Sequence, residues 1–131
     1  MRIAIICFSQ RGLELSEKIG NFLKGRQYQV TVGCKGEFIA VGEGREKIDE
    51  SLSTWTKRNF RQKDGLIFVG ATGIAVRAIA PFLVGKDTDP AVLVVDETGE
   101  FVISLLSGHI GGANELARSI GERLDAVPVI T

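Results

Sequence analysis

The only histidine of the sequence, His109, lies in the stretch Ser107-Gly108-His109-Ile110-Gly111-Gly112-Ala113-Asn114. An imidazole titrates near neutral pH, so it suits general acid–base work or metal ligation. A lone histidine is also commonly a cap or a satisfied loop residue. Gly111 and Gly112 weigh against that plainer reading, because each glycine in a helix interior costs about 0.8–1 kcal/mol relative to alanine. Two of them where a helix should start imply that a ligand needs access to the backbone. His109 is therefore the candidate catalytic group, with Ser107, Gly108, Gly111, Gly112 and Asn114 as candidate substrate contacts.

A second candidate is Gly70-Ala71-Thr72-Gly73, which leads into Arg77. Gly70 and Gly73 would let a ligand approach the backbone closely, with Thr72 between them. The Arg77 guanidinium offers a planar fork for a carboxylate, although a lone arginine on a helix is often merely solvated. A third, Ser9-Gln10-Arg11-Gly12, joins a hydroxyl, an amide, a cation and a glycine, and reads first as a helix start capped by Ser9. None of the three matches a dinucleotide fingerprint or a P-loop. Asp87, Asp89, Asp96 and Glu97 could furnish a pair of acids, but turns are rich in aspartate and solvated turns are the better reading.

The elements that must position these groups alternate between strand and helix. Residues 3–8 form an unbroken apolar run, as expected of a strand buried on both faces. A helical pattern with Leu13, Ile19, Phe22 and Leu23 on one face follows, with Gly25 as its stop. Residues 28–32 read as a second strand, 37–41 as a short third, and 47–60 as a loose helix through Ile48, Leu52, Trp55 and Phe60. Residues 66–69 form the next strand and 73–80 a short helix, with a turn or kink at Pro81. Residues 91–95 and 101–105 are two strands whose connection, Asp96 to Glu100 with Gly99, reads as a hairpin. Ala113, Leu116, Ala117, Ile120 and Leu124 mark the last helix, and 127–130 a closing strand. The pattern predicts one α/β domain over 1–131. Its expected architecture is a three-layer sandwich, Rossmann-like or flavodoxin-like, with a mostly parallel sheet and room for one antiparallel hairpin. In such sheets ligands sit beyond the carboxyl ends of the strands.

The chain has 131 residues, enough to bury a core, with 44% hydrophobic and 24% charged side chains. Sixteen basic residues balance sixteen acidic ones, so no global field draws in nucleic acid or an anionic membrane. No apolar run approaches the roughly 18 residues of a membrane span. Cys7 and Cys34 fit no metal-ligand spacing, and a reduced, cytoplasmic protein is expected. The halt at Thr131, within a strand, fits either a piece of a longer protein or a stand-alone domain.

From Leu66 onward the sequence carries three blocks: GIAVRAIAP at 73–81, KDTDPAV at 86–92 and LLSGHIGGAN at 105–114. In that order and spacing they resemble the cobalt-precorrin-5A hydrolase family of cobalamin biosynthesis, strongly over half the chain and only in layout over residues 1–65. The resemblance implies an enzyme of the anaerobic pathway that opens the ring-A lactone of cobalt-precorrin-5A. Acetaldehyde is released and cobalt-precorrin-5B is formed. It implies a corrinoid substrate that carries its own cobalt, no cofactor and no protein-bound metal. It also implies a further C-terminal domain, absent from this chain and open to supply by a separate one; a homodimer is left open too. His109 would activate water or shuttle a proton, and Arg77 would hold a substrate carboxylate. The alternative is a non-catalytic module of that enzyme that binds a corrinoid or a partner. A flavodoxin-like carrier is disfavoured by Ser9–Gly12, and a receiver domain by the missing acidic pair.

Overall fold

The chain's structure is a computed structural model that describes residues 1–36 and 44–131. Its strands are β1 (Arg2–Cys7), β2 (Gln29–Cys34), β3 (Glu46–Lys47), β4 (Gly65–Val69), β5 (Ala91–Val95), β6 (Phe101–Leu106) and β7 (Val127–Val129). Its helices are α1 (Gln10–Gly25), α2 (Leu52–Gln62), α3 (Thr72–Ile79) and α4 (Ala113–Leu124). The strands form one sheet in the order β3-β2-β1-β4-β5-β6-β7. The first five pair in parallel, as the alternation of strand and helix requires.

Side chains alternate across each strand, so every central strand feeds two cores. Ile3, Ile5 and Cys7 pack on one face with Leu13, Ile19 and Leu23 of α1 and Leu116 and Ile120 of α4. Ala4 and Ile6 pack on the other with Trp55 and Phe60 of α2 and Ala75, Ala78 and Ile79 of α3. There Trp55 meets Phe68 edge to face, with centroids 6.1 Å apart. The expected three-layer α/β sandwich is therefore the fold, and the strand order β3-β2-β1-β4-β5 is that of a Rossmann sheet.

Local chemistry sets the helix starts. Ser9 Oγ accepts from the Gly12 amide at 3.0 Å and caps α1, as expected from the sequence. Ser51 Oγ accepts from Thr54 N at 3.1 Å and caps α2. The helix expected over 47–60 thus begins later, at Leu52. Ile48 instead inserts into the core above Gly33, where an added Cβ would lie 2.4 Å from its Cδ1. The helix expected over 73–80 begins at Thr72 and tightens into a 3₁₀ turn at Ala80–Phe82, which accommodates Pro81. The strand expected over 37–41 lies outside the described residues, and the third strand described is Glu46–Lys47.

The hairpin has the larger consequence. β6 runs antiparallel to β5, with Val95 opposite Val102 and Val92 opposite Leu106. Asp96 anchors the turn by accepting from Glu100 N at 2.9 Å and Phe101 N at 2.6 Å, and from the Thr98 hydroxyl. Burial would push the Asp96 carboxyl up, yet these bonds together hold it below the usual carboxylate range. Because of this reversal, β6 ends at the edge where β1, β4 and β5 begin. We call that the amino edge, and the opposite one the carboxyl edge.

Candidate functional site

The carboxyl edge carries the first two candidate segments. The chain crosses from the β2 side of β1 to the β4 side, which makes the gap between β1 and β4 the topological switch point. Ser9–Gly12 and Gly70–Gly73 flank it. Phe8 closes its floor, lying 3.3 Å from where a Cβ on Gly70 would stand. Ser9 Oγ, already capping α1, also donates to Glu97 Oε2 at 2.7 Å, so its hydroxyl is occupied by protein. Thr72 and Gly73 open α3 without a side-chain cap. The Arg77 guanidinium folds back toward them, with Nη1 3.3 Å from a Cβ built on Gly73. Arg77 also borders a largely apolar groove of about 290 Å³ with Leu52, Ser53, Ile74 and Ala78.

The third segment lies at the other edge. Ser107–Gly112 follows β6 and therefore sits at the amino edge, beside the start of β5. One five-residue strand at about 3.3 Å per residue puts roughly 16 Å between the edges. The structure thus separates Gly70, Thr72, Gly73 and Arg77 from Ser107, Gly108, His109, Gly111, Gly112 and Asn114. No single small chemical group can touch both segments of the same chain.

The His109 loop is held by its own contacts. Ala113 N donates to Ser107 O at 3.1 Å, Asn114 N to Gly108 O at 3.0 Å, and Gly112 N to His109 O at 3.3 Å. The first amides of α4 are therefore spent on the loop and not left open to an anion. Asn114 is buried, and its Oδ1 accepts from Ser104 Oγ at 2.7 Å. It leaves no room above it: a Cβ on Gly108 would lie 2.6 Å from that oxygen. A Cβ on Gly111 would meet Ser107 Cβ at 2.5 Å and Ser107 O at 2.8 Å, and Gly112 has φ +86. All three glycines thus have an internal reason, where the sequence suggested ligand access. Ser107 itself has φ 58, a left-handed conformation that non-glycine residues rarely adopt. What this tight loop presents to solvent is His109 and Ile110.

Those two residues line a hollow of about 360 Å³ with Lys86, Ser107 and Gly108. Lys86 was not singled out in the sequence, and Asp89, read there as a solvated turn residue, is buried. The Asp89 carboxylate accepts from Val84 N at 3.1 and 3.2 Å, and its carbonyl accepts from Ser107 Oγ at 3.0 Å. Asp87 stays exposed. Both residues belong to the block 86–92, whose placement just before β5 was the available signal for Lys86. The block 73–81 runs away from the carboxyl edge through α3 and delivers its Pro81 end to Val84. All three blocks therefore converge at the amino edge, joined by Asp89. Among the described residues, no three His, Cys, Asp or Glu side chains are grouped so as to hold a metal ion. No helix among them is long and apolar enough to cross a membrane.

The chain is similar to known proteins along nearly all its length. Residues 54–131 match the family model described as cobalamin synthesis G N-terminal. A cobalt-precorrin-5A hydrolase from Salmonella typhimurium is 41% identical over 129 residues, covering 98% of this chain and 35% of that protein. One from Priestia megaterium is 40% identical, over 98% of this chain and 34% of that protein. A crystal structure of a cobalamin biosynthesis protein G homologue from Sulfolobus solfataricus superposes with a TM-score of 0.75 at 29% identity. It covers 98% of this chain and 36% of that one. The chain thus spans about a third of the length of the curated relatives it matches. The resemblance carried by the three blocks is an affiliation: the chain belongs to the cobalamin synthesis G N-terminal family.

Proposed function

We propose that this chain supplies the amino-terminal part of a cytoplasmic cobalt-precorrin-5A hydrolase and contributes His109 to its reaction. The observation that supports this most is the hollow that the blocks at 86–92 and 105–114 line together, with His109 exposed on a braced loop. The reaction opens the ring-A lactone of cobalt-precorrin-5A and releases acetaldehyde. His109 is suited to take a proton from water attacking the lactone carbonyl. A general base of this kind contributes on the order of 10²–10⁴ in rate. Asn114, Gly108 and Gly111 position it by fixing the loop. The cobalt belongs to the substrate, and no protein-bound metal or cofactor enters the reading.

Corrinoid intermediates are rimmed with carboxylates, and Lys86 lines the His109 hollow. We assign Lys86 to one such carboxylate, as a point charge rather than a fork. Gly70, Thr72, Gly73 and Arg77, at the far edge, take no part in holding the reacting ring. Anaerobic equilibrium binding of cobalt-precorrin-5A to the chain tests this assignment. Saturable binding weakened at least tenfold by Lys86→Ala and left unchanged by Arg77→Ala is expected. The reverse ranking would move the site to the switch point and overturn the reading.

A further inference from the structure

We infer that the amino edge around Val84 and Ile110 is the docking surface for the polypeptide that makes up the other two thirds of the curated relatives. The inference rests on the fold and the family, and it stands whether or not His109 acts as a base. Three observations converge on this surface.

The first is apolar exposure. Val84 is 84% exposed, Ile110 69% and Leu83 48%, against 37% and 45% for Ile74 and Val76 on α3 and 44% and 56% for Phe101 and Val127 at the far edge. The three lie on neighbouring loops, because Asp89 bonds Val84 through its carboxylate and Ser107 through its carbonyl. Grouped apolar side chains mark an interface better than isolated ones do. The second is rigidity. Ile110 stands on the loop braced by Asn114 and the glycine packing, and Val84 on a loop clamped by Asp89. Both side chains thus stand on backbone that is already held, which lowers the entropy lost on docking.

The third observation identifies the occupant. β7 pairs in parallel with β6, with Val129 opposite Ile103. It therefore heads for the edge where β6 ends, the one that bears Ile110. In a relative that extends past the position of Thr131, the continuing polypeptide starts toward the same edge as Val84 and Ile110. Such relatives hold about two thirds of their length outside this match. A covalent link from that edge raises the local concentration of the following part at this surface. The His109 hollow would then be closed by residues from that part and would lie within the seam.

Thiol labelling tests the inference in two proteins. Val84→Cys, Ile110→Cys and, as a reference on α3, Val76→Cys are made in this chain. The same replacements are made at the matching positions of the full-length Salmonella typhimurium relative, with each unsubstituted protein as blank. The native Cys7 and Cys34 are buried and should stay silent in this chain. The expected result is rapid labelling of all three positions in the chain. In the relative, the two amino-edge positions slow at least tenfold while the α3 position does not. Equal rates in both proteins at Val84 and Ile110 would overturn the inference. So would slow labelling in the chain alone that speeds up on dilution, since a second copy would then cover the surface.

Discussion

Glycines 108, 111 and 112 show how a residue's meaning changes between sequence and structure. In sequence they suggest backbone opened to a ligand, whereas in the fold they make room for Asn114 and Ser107 and supply a positive φ. Gly111→Ala should cost on the order of 1–3 kcal/mol by overpacking. Gly25→Ala, where nothing lies within 4 Å, should be neutral or mildly stabilising. Urea unfolding of the two variants checks the contrast, and equal effects would show that the His109 loop relaxes freely. Cys7 tests burial in another way. Desolvation, with Cys34 beside it, pushes its thiol from an ordinary value of 9.0 up to about 12. The folded value is raised, so this contribution to stability is full below about pH 9 and lost as pH climbs toward 12. Stability measured between pH 8.5 and 11 should therefore fall more steeply for the wild type than for Cys7→Val. Parallel slopes would mean the thiolate is tolerated in the core.

At the scale of elements, the most legible parts were those whose own periodicity decides their place. The spacing of Ala113, Leu116, Ala117, Ile120 and Leu124 gave α4 within the observed bounds Ala113–Leu124. The apolar runs of β1, β4 and β5 were equally plain. Ile48 was misplaced in a helix because its apolar character was real while its partner, Gly33, comes from a distant strand. Of the two serine-capped helix starts, that at Ser9 was legible and that at Ser51 was not, because Ile48 extended the apolar pattern past it. Ser9→Ala and Ser51→Ala should each cost about 1 kcal/mol in denaturant unfolding. Ser9→Ala should show the larger loss, because its hydroxyl also donates to Glu97. Equal and negligible losses would mean that solvent replaces both caps.

For the whole molecule, the hairpin between β5 and β6 sets where function can reside. Its turn was readable from Asp96, Gly99 and Glu100, and it foretold an antiparallel pair. What does not show in a linear reading is that the reversal carries the His109 loop to the edge opposite Arg77. Two sites that look alike as strand-to-helix junctions are thereby put at opposite ends of the sheet. The convergence of the three blocks at the amino edge was hidden for the same reason, since Asp89 joins residues far apart in sequence. The proposed site and the proposed docking surface both rest on that edge, where His109 and Lys86 line one hollow.

The most direct measurement of that claim is anaerobic acetaldehyde release from cobalt-precorrin-5A. It is made with this chain substituted for the matching third of the Salmonella typhimurium relative, as wild type, His109→Ala and Arg77→Ala. The account predicts release by the unsubstituted hybrid, a loss of at least about 100-fold for His109→Ala, and less than threefold for Arg77→Ala. Full release by His109→Ala, a loss for Arg77→Ala as deep as that for His109→Ala, or a folded but inactive unsubstituted hybrid would contradict it.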